Sequence, residues 1–555
     1  MRLAVLALLL ITPPLAAQPK QLPPDLVAPT DALSPADERK QFTVPEGFDV
    51  QLVASEPDIQ KPMQMAFDAK GRLWVTTSYH YPFAAPADKA TDKVFVLSDF
   101  DASGKARKVA TFTSDLNIPI GILPMPDCKS VIVSSVGEIR KYKIQETDGG
   151  PKTDGFEVLF QGFGSRDTHG MYNSYTLMPD GWVYSCHGFA NDSTVKGKDG
   201  HEVKMNSGHT FRFRPDGSRI EVYSRGQVNP FGMTVDPWFN LYTADCHSKP
   251  ITQIIPGAYY DSFGKPHDGL GYAPHVTRHD HGSTGLCGLA WYDADHFPKD
   301  YLGCMFVGNV VTNRINFDKI EWRGASPVAK ELPDFLVSKD RWFRPVDIKL
   351  GPDGALYVAD FYNKIIGHYE VDLKHPGRDK DRGRLWRIVW KGKGEPGASA
   401  TGGLKFAYTD LTTAKDEEID ELLGHPNLMV RMLATNQAIE RKEDMQARKG
   451  PNYTYTAHRM WVDEMRSWRQ GHPGEGPRRA YRDDEPLLAS HHYRIERAVK
   501  EFAREHKSRA EVARQKIDLA KANPHVARAA VEMIAGDPKA EYVAPLVELL
   551  KKTPA

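Results

Sequence analysis

Pro352-Asp353-Gly354 followed by Leu356-Tyr357-Val358 is a tight polar turn running into a short apolar strand. Asp and Gly supply the turn chemistry; aromatic and β-branched residues supply the strand. The same arrangement occurs five more times upstream. Asp68 to Gly71 precedes Leu73-Trp74-Val75, and Pro126-Asp127 precedes Val131-Ile132-Val133. Pro179-Asp180-Gly181 precedes Val183-Tyr184, Asp236 precedes Leu241-Tyr242, and Asp300 precedes Met305-Phe306-Val307. The anchors Trp74, Ile132, Tyr184, Tyr242, Phe306 and Tyr357 fall roughly 50–65 residues apart. Repeats of about 40–60 residues holding several short strands read as propeller blades. The sequence therefore predicts an all-β six-bladed propeller, whose central channel is the natural place for chemistry.

The ring must close. Residues 42–53 alternate apolar and polar, and 383–390 are strand-like again, so one blade is expected to combine both ends of a propeller spanning 41–392. A Gly-rich linker, 393–405, follows. The remainder, 406–555, is expected to be α-helical. Glu418 to Asn427, Leu428 to Ile439 and Lys516 to Ile534 show helix–Pro–helix patterns similar to HEAT-like repeats, a surface for a protein partner. Residues 441–510 read as charged and irregular, anchored by Trp461 and Trp468.

At the start, Arg2 precedes an apolar run from Leu3 to Ile11, with small residues at Ala16-Ala17. This predicts a signal peptide over 1–17 and a periplasmic or secreted protein. Pro13-Pro14 cuts the run short of a membrane span. Residues 18–40 read as a Pro-rich linker. Lys+Arg and Asp+Glu both number 72, giving zero net charge and arguing against nucleic-acid binding. The cysteines are Cys128, Cys186, Cys246, Cys287 and Cys304, which allow at most two disulfides. Cys-x-x-Cys-His is absent, so no covalent c-type haem is expected on this chain.

Three residues beyond each anchor stand Thr77, Ser135, His187, Asp245, Asn309 and Asp360, all polar. Placed at the ends of inner strands they would form a ring at the channel mouth. Such a ring suits a hydroxylated ligand or Ca2+, with Asp245 and Asp360 as metal ligands. The alternative is that each aspartate caps a turn. His169, in Asp167-Thr168-His169-Gly170, is a candidate general base. Asn229, held extended before Pro230, is a candidate cofactor contact. Cys186-His187 and Cys246-His247 are adjacent pairs in neighbouring blades, a candidate transition-metal set. His279-Asp280-His281 places two imidazoles in register, a weak metal signal.

Several stretches carry a family resemblance. These are Pro45 to Pro57, Met65 to Val75, Val228 to Gly232, Ala244 to Pro250, Phe263 to Leu270, Asp347 to Asn363, His375 to Arg378 and Arg382 to Arg387. They resemble the planctomycete-type membrane-bound dehydrogenase propellers, over about 42–390; such proteins often continue into HEAT-like repeats and a cytochrome c module. More distantly the chain is similar to soluble glucose and sorbosone dehydrogenases dependent on pyrroloquinoline quinone (PQQ). That resemblance implies PQQ with Ca2+, a sugar or polyol substrate, His169 as catalytic base, and cofactor contacts from Asn229, Asp245, His247, Asn309 and His187. Electrons would pass to a separate cytochrome c. Those enzymes carry Arg where this chain has Val228, which cannot supply the same charge. The alternatives are a non-catalytic carbohydrate-binding or scaffold propeller and a Ca2+-dependent lactonase-like hydrolase.

Overall fold

The computed structural model describes residues 26–246, 249–262, 272–283, 285–367, 371–392, 406, 408–441, 452–470, 485–506, 519 and 521–552. Blade 1 is the antiparallel sheet Pro62–Phe67, Leu73–Thr77, Asp92–Phe100 and Ala106–Leu116. Blade 2 follows with Ile122–Pro124, Ser130–Ser135, Glu138–Gln145 and Lys152–Gln161. Blade 3 uses Asn173–Leu177, Val183–His187, His209–Phe213 and Ile220–Arg225, with a hairpin, Asp192–Lys196 and Glu202–Asn206, inserted after its second strand. Blade 4 contains Pro230–Val235, Leu241–Asp245 and Ile251–Ile254. Blade 5 runs Leu286–Trp291, Cys304–Asn309, Arg314–Arg323 and Ser326–Ser338; blade 6 begins with Pro345–Leu350 and Leu356–Asp360. The first strands of successive blades touch in order, and blade 6 returns to blade 1. The six-bladed propeller is thus present.

Closure uses both ends of the propeller. Phe48–Ser55 pairs with Arg384–Trp390 as the outer half of blade 6, from Phe48↔Trp390 to Ser55↔Arg384. The stretch expected as one strand over 42–53 is in fact split between blades. Phe42–Thr43 pairs with Ser338 and Val337 of blade 5. The break falls at Gly47, whose φ is +93° and where a Cβ would lie 2.5 Å from the Trp390 ring. Only glycine fits that turn.

The repeated turn-and-anchor pattern has a direct physical cause. In blade 1 the Trp74 indole N–H donates to Asp68 Oδ2 (2.8 Å). Tyr184 donates to Asp180 (2.7 Å), Tyr242 to Asp236 (2.9 Å) and Tyr357 to Asp353 (3.3 Å). Each aspartate also accepts backbone N–H groups of its own turn. An aromatic donor in the second strand thus satisfies the carboxylate that shapes the turn before it.

The helical region packs onto this turn face. Its helices are Asp416–Leu422, Leu428–Glu440, Tyr453–Arg469, Pro486–Glu505, Pro524–Gly536 and Val543–Lys552. Trp461, Val462, Leu488, Val499 and Met533 share one core with Met178, Trp182, Phe239 and Leu241 of the propeller. Residues 441–510, expected to be irregular, hold two long helices. Their charged residues misled because several are buried as pairs: Arg459 with Asp420 and Asp463 (both 2.7 Å), and Glu501 with Arg212 of blade 3 (2.9 Å). The described part of the expected linker 18–40 is likewise packed. Leu26 and Ala28 are buried, and Glu38 in the helix Pro35–Arg39 meets Arg384. The expected signal peptide and the 393–405 linker lie outside the described residues. Among the described residues no helix is long and apolar enough to cross a membrane. All five cysteines are free thiols.

Candidate active site

A propeller has two faces. The aspartate turns lie on one, and the helices cover it. Tyr408 donates to Asp68 O (3.0 Å), Asn427 Nδ2 to Gly351 O (2.8 Å), and Arg494 to Asn240 Oδ1 (2.6 Å). The opposite face carries the loops that leave each second strand and those that enter each first strand. His169 lies there, between blades 2 and 3.

Asp167 caps the short turn Thr168–Gly170 by accepting from the His169 N–H (2.9 Å). The same carboxylate stands 3.4 Å from His169 Nδ1 and is buried, whereas the imidazole is 22% exposed. A carboxylate beside Nδ1 favours the proton there, which leaves the Nε2 lone pair as the basic site. The ring packs on Tyr81 at 4.6 Å, and Tyr81 meets Phe361 at 5.7 Å. Thr168 donates to Pro82 O (2.7 Å), tying the loop to blade 1.

Asn229 fixes His169 from blade 4. Its Nδ2 donates to His169 O (3.3 Å), and its Oδ1 accepts from Phe189 N–H (3.2 Å). A Cβ on Gly188 would lie 2.0 Å from Asn229 Oδ1, and one on Gly170 would lie 2.2 Å from Phe189 O. Two glycines therefore let three loops meet. The Asn229 amide, expected to face a ligand, joins the His169 loop to Phe189.

The polar ring occupies equivalent positions, but at the ends of second strands rather than first strands. All six residues are buried. Asp245 accepts from Val228 N and Asn229 N (both 2.9 Å). Asp360 accepts from Arg344 N (2.8 Å) and Tyr362 N (2.9 Å). Asn309 bonds Ser283, Thr312, Asn316 and the His281 carbonyl. His187 sits between Ser207 O and Ser193 Oγ (both 2.8 Å). Asp245 and Asp360, the expected metal ligands, stand in blades 4 and 6, and each carboxylate accepts two backbone N–H groups. They thereby clamp the chain entering those two blades. His247 lies outside the described residues.

Below this face the first strands close on the axis. Each of blades 1, 3, 4, 5 and 6 has a bulge near the start of its first strand. Gln64 Nε2 donates to Ser174 Oγ (2.8 Å), Gly232 N–H donates to the same oxygen (2.9 Å), and Met65 N–H donates to Asp347 Oδ2 (2.9 Å). Burial raises the Asp347 carboxyl despite Lys349 at 3.3 Å.

The mouth on the open face holds residues the sequence did not single out. Lys61 is fully buried, donates to Phe361 O (3.0 Å) and Tyr362 O (2.6 Å), and pairs with Asp379 (2.8 Å). Burial lowers its ammonium to about 8, with Asp379 opposing. Lys380 donates to Tyr81 O. Burial also lowers Lys380; Asp92 raises it and Arg378 lowers it further. Burial, and then the Asp167 carboxylate, oppose ionisation of the Tyr81 hydroxyl, with Arg378 favouring it. Arg378 lies within His375-Pro376-Gly377-Arg378, a stretch quoted above as a family signature; that was the available signal. A further open cleft of about 420 Å³ lies at the rim of blade 3, lined by Ser193, Asn206, His209, Arg225 and Tyr259 among others.

The fold and site define a six-bladed propeller with a histidine-bearing open face and a helix-covered turn face. The chain belongs to the family described as "Domain of unknown function (DUF7133)", which matches residues 34–392. It is 26% identical over 167 residues to aldose sugar dehydrogenase YliI of Escherichia coli K12, covering 26% of this chain and 42% of that protein. The match thus spans less than half of the curated relative. Among solved structures, an oxidoreductase (glucose dehydrogenase) of Thermus thermophilus aligns with TM-score 0.44 and 17% identity, covering 62% of this chain and all of that one. The PQQ domain of Coprinopsis cinerea pyranose dehydrogenase aligns with TM-score 0.40 and 12% identity, over 63% and 97%.

Proposed function

We propose that the open face oxidises a hydroxyl of an aldose or polyol, with His169 as proton acceptor. The observation that carries this reading is the geometry of His169. It is partly exposed, has Asp167 beside Nδ1, packs against Tyr81 and is fixed from the next blade by Asn229. A base so oriented is suited to remove a hydroxyl proton near neutral pH. The sequence relation to a sugar dehydrogenase supports the substrate class.

Oxidation of a C–OH group releases one proton and a hydride. Nε2 of His169 takes the proton; the hydride requires a two-electron acceptor. PQQ, an anionic quinone, would supply that acceptor when bound. The mouth offers a flat anion the positive charge of two neighbouring cations, Arg378 and Lys380, near the Tyr81 ring; Arg378 also donates to the Asp372, Gly367 and Val371 carbonyls and Lys380 to Tyr81 O. Val228 is buried and contributes no charge, so the cations come from blade 6 instead. Lys61 and Asp379 hold the blade 6 loop against blade 1. Export, and electron delivery to a separate cytochrome c, complete this reading. We read the C-terminal helices as a HEAT-like array, whose outer side would meet a protein partner.

Purified protein given PQQ and Ca2+ is expected to acquire the quinone absorbance, which bleaches on adding an aldose. Quinone binding with no bleaching by any aldose or polyol would replace this reading with that of a carbohydrate-binding propeller, which the uncharged Val228 favours.

A further inference from the structure

We infer that blade 5 carries a transition-metal site formed by His279, His281 and Asp318, of the class that holds Zn2+. The two histidines lie in the long connection from blade 4 to blade 5. Asp318 lies in the strand Arg314–Arg323, with its side chain wholly buried. One ligand atom from each residue falls within 4.8 Å of the others. His279 Nε2 lies 2.8 Å from Asp318 Oδ1, His281 Nε2 lies 2.7 Å from Oδ2, and the two Nε2 atoms are 3.3 Å apart. Tetrahedral zinc with bonds of about 2.0–2.1 Å separates its nitrogen ligands by about 3.3 Å.

Two further observations point to a cation. Asp318 Oδ1 is buried and, among the described residues, faces only the His279 imidazole, at 2.8 Å. Protons on both Nε2 atoms would also crowd each other at 3.3 Å, whereas a metal between them uses both lone pairs. The second observation is His281 Nδ1, which stands 3.2 Å from Glu331 Oε1 on the adjacent strand. A carboxylate on the far nitrogen of a ligating histidine fixes its tautomer and raises its basicity. Two imidazoles and one carboxylate select a borderline ion such as Zn2+ over Ca2+ or Mg2+. His279 is 19% exposed, so a cation can reach the site from water.

The site would staple the connection to its blade. Val276 O accepts from Ala329 N (2.9 Å), Thr277 is buried beside it, and Asn309 Nδ2 donates to His281 O (3.3 Å). The role assigned is structural and separate from His169.

The test uses full-length, untagged protein stripped with a chelator. Titration with ZnCl2 by calorimetry, and with CoCl2 by visible absorption, is expected to show one site per chain with micromolar or tighter affinity. A tetrahedral Co2+ spectrum and a raised unfolding temperature should accompany it. His279→Ala and Asp318→Asn should weaken Zn2+ binding at least 100-fold while the stripped proteins unfold like stripped wild type. Absent binding, or binding unchanged in both variants, would overturn the assignment. If either variant fails to fold, Glu331→Gln decides: about tenfold weaker Zn2+ binding supports the site, and unaltered affinity refutes it.

Discussion

The two faces of this propeller are made from the same six blades, yet they are held by different means. On the turn face the same residues recur: an aspartate, a turn, then an aromatic donor that satisfies it, as in Asp236 and Tyr242. Apolar helices and buried ion pairs then seal that face, with Arg212 against Glu501 and Trp461 in the shared core. On the open face the second-strand ends repeat, as in Asp245 and Asp360, but the contacts around His169 are made by unlike loops. His169, Tyr81, Asn229 and Lys380 come from four different connections and meet once. Repetition builds the frame, and departure from repetition builds the site.

The contrast breaks if the covered face turns out to matter for turnover, or the open face for stability. The largest effect is expected at the covered face. Trp461 is buried and donates to His491 Nδ1 (3.0 Å), so Trp461→Ala should cost about 3–5 kcal/mol by chemical denaturation. Turnover per folded molecule should not change. On the open face, Gly188→Ala drives a methyl into Asn229 Oδ1 and shifts the His169 loop. Displacement on the order of 1 Å should lower turnover about 100-fold, read by a dye-reduction assay. Tyr242→Phe leaves the buried Asp236 short of one donor and should cost about 1–3 kcal/mol, visible as a lower unfolding midpoint.

The smallest effect concerns pH. Burial first, and then Asp360, push the Glu38 carboxyl well above its ordinary 4.5, with Arg384 opposing. The folded state therefore binds this proton more tightly than the unfolded chain. Its stabilising contribution is complete below about pH 4.5 and is lost as pH rises through the raised value. Glu38→Gln should flatten the pH dependence of the unfolding midpoint above pH 4.5; an unaltered slope would exclude Glu38 as its source.

The frame was legible in the sequence because its chemistry is local. Asp353 and Tyr357 are four residues apart and bond each other, so their spacing carries the structure. The ring from Thr77 to Asp360 was legible in position, and of the two roles read for its aspartates, ligand contact and backbone capping, the capping contacts are the ones present. Equal offset shows equivalence between blades; it does not show which strand of a blade lies innermost. Buried pairs such as Arg459 with Asp420 gave the helices the appearance of a solvated, irregular segment. Tyr81 and Lys380 were missed because their contact spans about 300 residues of chain. His279 and His281 were visible as a pair, whereas Asp318, interior to a strand, was not.

The most direct test of the division between frame and site is the turnover number of His169→Gln beside wild type. It should be measured at saturating aldose on quinone-loaded protein, with the unfolding temperature of each recorded. A loss of about 10²–10⁴-fold with unchanged unfolding temperature is the predicted result. Turnover within twofold of wild type would contradict the account and move the chemistry away from this histidine.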